Sequence, residues 1–361
     1  MAKHIAPPPR EWETFAYQGR PFFRFPIQIR DGGFISVTVP RQIADRYDVR
    51  DVLARGGGGL ILVANDLRTG NEVLVKALAE YKADSETLAE AAEEFTESLR
   101  RNRHHLQTER RILVQLRRRG SNAVPHPNDY VFDVNPQLSG PHRTHSGESW
   151  TFDDEALLAS EPYLVMERVP GENLQDLLKT QYSRGLPPRA ALEIVDQVAG
   201  VLELLEQPWP MRNGQTWELV YQDLKPGNIL LDDRGRATVI DFGGCQLVID
   251  GTLVLHGSHS TGFCAPECGM SAEAIGPTAD TYALGSTLFH MLSGVNPRRL
   301  LPKKLDENQP RAARIDAGPL AGRCAADLVA VIVKSVSWDV DLRFQSVSEF
   351  RGALATLLEA A

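Results

Sequence analysis

VYQDLKPGNILLDDRGRATVIDFG, residues 220–243, is the stretch on which the reading of this chain turns. ILL and ATVI are short β-type runs, and Asp232-Asp233-Arg234-Gly235 between them supplies turn residues, so the spacing predicts a tight antiparallel hairpin. Asn228 and Asp241 stand at matching distances from that turn. Pairing is therefore expected to bring an amide oxygen and a carboxylate together at the open end. Two hard oxygen donors of this kind suit Mg²⁺ carrying a polyphosphate, because Mg²⁺ takes few protein ligands and completes its shell with water and phosphate. Asp223 and Lys225 fall on the adjoining loop and add a base and a cation near the same point. A plain surface hairpin is the alternative, since DDRG is common turn chemistry. It does not account for the joint spacing Asp-x-Lys-x-x-Asn followed by Asp-Phe-Gly.

With those residues in view, the chain resembles the eukaryotic-type (Hanks-type) protein kinase family. YQDLKPGN is similar to its catalytic loop, Asp241-Phe242-Gly243 to its metal-binding tripeptide, and Ala265-Pro266-Glu267 to the end of its activation segment. The resemblance runs from residue 47 to about residue 358. It implies that Asp223 accepts the substrate hydroxyl proton, that Lys225 steadies the transferred phosphoryl group, and that Asn228 and Asp241 bind Mg²⁺. The fold it implies is α+β and bilobal. A β-rich N-lobe over 47–167 would carry a long helical insertion, a mainly helical C-lobe would span 168–361, and residues 1–46 would form an N-terminal extension.

Upstream, LARGGGGLILVAND aligns with the family's glycine-rich loop: Gly56, Gly57 and Gly59 fall on glycine positions and Ile61 on the valine. Backbone N–H groups in such a loop can approach phosphates because no Cβ intervenes. Ala54 stands where the first glycine is usual, and Gly58 where the family often has an aromatic residue. Lys76 matches the strand lysine that holds the α and β phosphates. It shares a strand face with Leu74 and Leu78, so burial of that face demands a partner charge. A helical pattern over 84–119 offers one: its stripe steps by heptads from Leu88 through Phe95 and Asn102 to Glu109 and Leu116. Glu93, Glu94 and Glu97 lie off the stripe. Lys76–Glu109 is thus the expected ion pair, although 33 residues separate the two, a longer interval than usual for the family. The same segment holds six acids over 84–97, then eight arginines and one acid over 100–119. Complementing the helix macrodipole explains that skew more simply than a docking patch for an acidic partner.

By the same resemblance, EPYLVMERV leads into the hinge, with Met166 as gatekeeper and Glu167 to Val169 offering backbone groups to adenine. Ile61, Leu74 and Leu230 would sandwich the purine. Asp280 matches the aspartate that braces the catalytic loop, and Arg343 the arginine that pairs with Glu267. Residues 247–261 would be an activation loop with Ser258, Ser260 and Thr261 as candidate phosphosites. Gln222 replaces the arginine that commonly receives the activation-loop phosphate, so activity is expected not to depend strongly on that phosphorylation.

Length and composition agree with such a protein. The 361 residues are 42% hydrophobic and 24% charged, as in globular chains, and a net charge of −8 disfavours nucleic acid as a partner. The four cysteines form no CxxC pair, and no apolar run reaches membrane-spanning length. A soluble, cytoplasmic protein without a signal peptide is expected, and its Ala- and Arg-rich usage points to a bacterial member. PIQIR and FISVTVP around Asp31-Gly32-Gly33 predict a hairpin in the extension, read as a packing accessory. Residues 121–161 read as a long loop. The expected activity is transfer of the γ-phosphoryl group of ATP to a Ser/Thr hydroxyl of a protein or peptide, with ATP and Mg²⁺ as cofactors. The rival reading is a pseudokinase or nucleotide-binding scaffold, which Ala54, Gly58 and the long Lys76–Glu109 interval would fit.

Overall fold

The computed structural model describes residues 12–17, 19–28, 34–56, 59–78, 88–135, 142–143, 149–150, 161–257, 259–269, 273–299 and 316–360. These fall into two compact units, Met1–Val114 with His126–Arg168, and Gln115–Pro125 with Val169–Ala361.

Three strands open the first unit: β1 (Glu13–Tyr17), β2 (Arg20–Gln28) and β3 (Phe34–Pro40), in an antiparallel meander. The hairpin expected from the sequence is the β2–β3 half, with Gln28 opposite Phe34; its turn residues lie outside the described residues. β1 was not foreseen. It joins β2 along its whole length, from Glu13 opposite Arg24 to Tyr17 opposite Arg20.

A six-stranded sheet follows, built from β4 (Gln42–Ile43), β5 (Tyr47–Gly56), β6 (Gly59–Asp66), β7 (Glu72–Ala77), β8 (Pro127–Asp133) and β11 (Glu161–Glu167). Its order is β4-β5-β6-β7-β11-β8. The two-residue strands β9 (His142–Arg143) and β10 (Ser149–Trp150) pair separately. β8 falls within the stretch read as a loop. It opens with Pro127-Asn128-Asp129, which are turn formers, and it is an edge strand with little of its surface buried, so its period-2 signal is weak.

Strand alternation gives the sheet two faces. Leu60, Leu62, Ala64, Val73, Val75, Ala77, Tyr163 and Val165 point to one and are buried against Val37 and Val39 of β3. The extension therefore covers an apolar sheet face that would otherwise meet water. It is also tied by charge: Arg20 of β2 pairs with the buried Asp133 at the end of β8, which also accepts the Ala44 N–H at 2.6 Å. The other face carries Ile61, Leu74, Lys76, Leu164 and Met166, because Ile61 and Leu164 flank Lys76 in register and Met166 lies opposite Leu74. Helix α1 (Leu88–Arg118) carries the pattern read over 84–119, of which residues 84–87 lie outside those described. Phe95, Leu99, Leu106, Leu113 and Leu116 form its buried stripe, as the helical period requires.

The second unit is mainly helical: α2 (Leu174–Thr180), α3 (Pro188–Glu206), α4 (Thr278–Ser293), α5 (Ala326–Ser335) and α6 (Val347–Ala360). α3 begins with proline at its first turn, where a missing N–H is harmless, and buries Leu192, Val195, Val198, Leu202 and Leu205. Every residue of α4 is buried. Two small sheets accompany the helices. One joins β12 (Glu172–Asn173), β15 (Ile229–Leu231) and β16 (Ala237–Val239). The other joins β13 (Trp209–Pro210), β14 (Thr216–Val220), β17 (Gln246–Ile249) and β18 (Thr252–Leu255). The last two strands correct the expectation of a loop from 247. Asp250 and Gly251 both have positive φ, 50° and 78°, and close a two-residue hairpin that keeps this stretch on a sheet. Among the described residues, no helix is long and apolar enough to cross a membrane.

Candidate active site

In the first unit the chemistry gathers on the sheet face that α1 covers. Lys76 is 7% exposed and Glu109 1% exposed, and Lys76 Nζ lies 2.7 Å from Glu109 Oε2. Two charges this deep are tolerable only as a pair, since either alone would carry the full desolvation penalty. The apolar stripe that singled out Glu109 from the other acids of the helix thus leads to the carboxylate that meets Lys76. Glu93 and Glu97 are exposed. Ile61 and Leu74, half-buried, and Met166, buried, share the lysine's face.

Of the glycine-rich stretch, Gly56 and Gly59 close the β5–β6 hairpin opposite each other, while Gly57 and Gly58 lie outside the described residues. Gly59 has φ +152°, and a Cβ there would fall 2.2 Å from the Ala77 carbonyl oxygen. Its absence of a side chain is thus demanded by the strand packing itself, whatever the loop binds. At the end of β11, the Glu167 N–H donates to His126 O at 3.0 Å, and its carboxylate accepts the His126 N–H at 2.8 Å. The Glu167 N–H is thus already taken within the unit.

In the second unit, the hairpin of residues 220–243 forms with Ile229 opposite Val239 and Leu231 opposite Ala237. Asp232 closes its turn by accepting the Arg234 and Arg236 N–H groups at 3.0 and 2.9 Å, and these bonds with the Arg236 side chain hold its carboxyl below the ordinary value. The register corrects one expectation. Asn228 faces Ile240, whose N–H donates to Asn228 O at 2.9 Å, and Asp241 lies one residue further. The turn is centred on Arg234, which shifts the pairing by one. Asp241 then adopts φ +66°, leaving the strand path in a conformation that non-glycine residues seldom take and that concentrates at functional sites.

The loop between β14 and β15 is over-determined. Asp280, buried in α4, accepts the Tyr221 and Gln222 N–H groups, each at 2.9 Å. Burial pushes its carboxyl up to about 6, against the pull of those two bonds. Gln222 has φ +62°, so this anchor holds a strained residue directly before Asp223. The buried Tyr221 hydroxyl donates to Ile240 O at 2.6 Å and its ring meets Phe242 edge-on at 5.2 Å, which couples the loop to Asp241-Phe242-Gly243. Asn173 caps α2 and donates to Gly227 O at 2.8 Å. The sequence reading missed Tyr221 as an anchor; its signal was a large polar aromatic that, once buried, must satisfy its hydroxyl.

Asp223 sits at the centre. Its Oδ2 pairs with Lys225 Nζ and accepts from Asn228 Nδ2 at 3.2 Å, while Oδ1 is buried with no hydrogen-bond partner. Lys225 Nζ also donates to Ser260 Oγ at 2.6 Å. Asn228 Nδ2 donates to Asp223 O as well, at 2.9 Å, so the amide oxygen is the part of this side chain left out of the pair. Among the described residues no three or more His, Cys, Asp or Glu are grouped to hold a metal. A donor set of one amide and one carboxylate oxygen fits only a cation that keeps most of its shell for water or phosphate. Further along, Arg343 reaches Glu267 with both terminal nitrogens, at 2.7 and 2.9 Å, while its Nε donates to Ser337 O at 2.6 Å. Leu230 of β15 is half-buried and pairs with Asn173 and Thr238.

Comparison with known proteins places the chain in a family. Residues 151–343 match the protein kinase domain. The chain is 26% identical over 325 residues to the serine/threonine-protein kinase PknB of Mycobacterium leprae, covering 88% of this chain and 44% of that protein. It is 26% identical over 333 residues to PknB of Mycolicibacterium smegmatis, covering 90% and 44%. With the serine/threonine-protein kinase PknA of Mycobacterium tuberculosis it shares 29% over 258 residues, covering 71% and 48%. The chain thus spans less than half the length of these relatives. With more than half of it matched by the domain, and an Asp223–Lys225–Asn228 cluster braced by Asp280, the chain belongs to the protein kinase family.

Proposed function

We propose that this chain is an ATP- and Mg²⁺-dependent protein kinase that transfers the γ-phosphoryl group to a serine or threonine hydroxyl of a protein or peptide. The observation that carries the reading is the asymmetry of Asp223: one carboxylate oxygen is held by Lys225 and Asn228, the other is buried and unpartnered. A buried acceptor without a donor is costly, and a substrate hydroxyl is the group that would satisfy it. Asp223 then orients that hydroxyl and takes its proton as phosphorus–oxygen bonding develops. Lys225, paired with Asp223 and touching Ser260, supplies positive charge to the group in transfer. Lys76, fixed by Glu109, holds the α and β phosphates of the nucleotide. Ile61, Leu74, Met166 and Leu230 supply apolar surface to adenine, with the Glu167 carbonyl and Val169 as main-chain contacts. Gly56, Gly57 and Gly59 approach the phosphates. Asn228 and Asp241 would hold Mg²⁺, which when bound neutralises phosphate charge. In functional terms 47–167 act as the nucleotide-holding lobe, 168–361 as the lobe for the acceptor, and 1–46 as a structural extension of the first.

The test is labelled γ-phosphoryl transfer from ATP with Mg²⁺ to the chain itself and to a generic protein acceptor. Asp223→Ala is expected to lower turnover by about 10²- to 10⁴-fold, the usual contribution of a positioned base, while retaining nucleotide binding. A folded wild type that binds ATP and transfers nothing would overturn the enzymatic reading in favour of a scaffold.

A further inference from the structure

Helix α1 is fastened to its sheet at a second point. Arg103 pairs with Glu161, the first residue of β11, with Nε 3.2 Å from Oε2 and a closer contact from Nη2 to Oε1. The Glu161 side chain is fully buried and that of Arg103 is 23% exposed. Burial pushes the Glu161 carboxyl up and the Arg103 guanidinium opposes it, so this partner favours the acid's charge where burial disfavours it.

The geometry relates this pair to Lys76–Glu109. Arg103 precedes Glu109 by six residues, about 9 Å along a helix. Glu161 precedes Leu164, the cross-strand neighbour of Lys76, by three residues, about 10 Å along a strand. The two spacings match, so one placement of α1 satisfies both pairs. A single ion pair leaves a helix free to pivot about it, whereas two separated by this distance fix rotation and axial position together. Their polarity is also reciprocal: the helix gives an acid to the sheet's Lys76 and a base to the sheet's Glu161. The two helix residues lie about 120° apart around the axis, so the pairs constrain rotation as well as axial position, and a buried ionic arrangement of this kind specifies register more than it adds stability.

We infer that Arg103 and Glu161 are positioning residues for the proposed kinase reaction, holding α1 in the one register in which Glu109 meets Lys76. The inference rests on the reading of the chain as an ATP-using kinase, and it goes beyond that reading by adding a second anchor to the helix.

Arg103→Met alone would strand a buried carboxylate and could unfold the unit, so the informative variant is Arg103→Met/Glu161→Gln, which removes both charges. It is expected to fold as wild type, to lose about tenfold in kcat/KM for ATP, within the range coupled neighbours show, and to carry that loss in KM. Arg103→Lys, which keeps the charge, should stay within about threefold of wild type by the same measure. Amide hydrogen exchange over residues 104–114 in nucleotide-free protein should be faster in the double variant than in wild type. Unchanged ATP kinetics in the double variant, or a lysine variant as impaired as the double, would overturn the inference. Should wild type show no transfer at all, the kinase reading falls, and exchange over 104–114 then decides alone: faster exchange sustains the anchor, unchanged exchange rejects it.

Discussion

The two units hold their functional charges by different means. In the first, Lys76 and Arg103 are each fixed by a carboxylate brought in from a distant part of the chain. In the second, Asp223 is fixed by its neighbours Lys225 and Asn228, and its loop by backbone N–H groups donated to Asp280. The first arrangement is as sound as the packing of α1, since nothing in the local sequence keeps Glu109 near Lys76. The second is built within a few residues and then braced from a helix that is buried along its whole length. A long-range ion pair is an element that can be moved; a loop whose amides are spoken for is one that cannot easily rearrange.

The largest expected effect breaks the long-range mode. Glu109→Gln removes the carboxylate from the buried Lys76–Glu109 pair, and loss of one partner from a buried pair costs about 3–5 kcal/mol. The first unit should melt markedly earlier in thermal unfolding, and turnover should fall with it. If the unfolding midpoint moved by no more than it does for an exposed pair such as Arg189–Glu193, the burial argument would fail.

A smaller effect probes the local mode through pH. The Asp280 carboxyl titrates at about 6 in the folded chain against about 4 when unfolded, so the folded state keeps its proton to higher pH. Stability attributable to this group therefore falls as pH rises from about 4 to about 6 and is level above, a change of about 3 kcal/mol. Asp280→Asn cannot titrate, and its NH₂ would face one of the two backbone N–H groups, so it is less stable than wild type at every pH. The gap between the two should be widest near pH 4 and narrow by pH 7. A gap that stayed constant, measured by denaturant unfolding at both pH values, would mean that Asp280 does not titrate in this window.

How much was readable beforehand follows the same division. Asp223, Lys225, Asn228 and Asp241 lie within nineteen positions, where spacing alone constrains geometry, and the hairpin register differs from the expected one by one residue at the turn. Lys76–Glu109 was legible because a carboxylate on an apolar helical stripe needs a partner. Arg103 and Glu161 were not: the arginine sits in a run of eight that the helix dipole already explained, and the glutamate looked like the polar start of an apolar strand. β8 was lost because turn residues open it and an edge strand buries little. The extension read as a packing accessory, but which sheet face it would cover depends on a register that no local pattern carries.

The smallest expected effect concerns the segment after Asp241. Gln222 Nε2 donates to Gln246 Oε1 at 3.2 Å, and Gln246 in turn accepts the Ile275 N–H and donates to Ile275 O, both at 2.9 Å. A Cβ on Gly257 would lie 2.0 Å from Gln222 Oε1, so the chain passes directly against this amide. The β17–β18 hairpin ties the intervening residues to β14. Neutral amides here make the contacts that, in a phosphorylation-dependent switch, wait for an arginine to meet a phosphate. Phosphatase treatment of active protein should therefore change turnover by less than about twofold, whereas Gln246→Ala, which strands buried partners worth about 1–3 kcal/mol, should lower it more. The contrast sharpens if both results appear in one preparation. Loss of turnover on dephosphorylation alone would show that Ser260 or Thr261 carries a phosphate the amide network does not replace, and that the second unit, too, depends on a charge supplied from outside its local sequence.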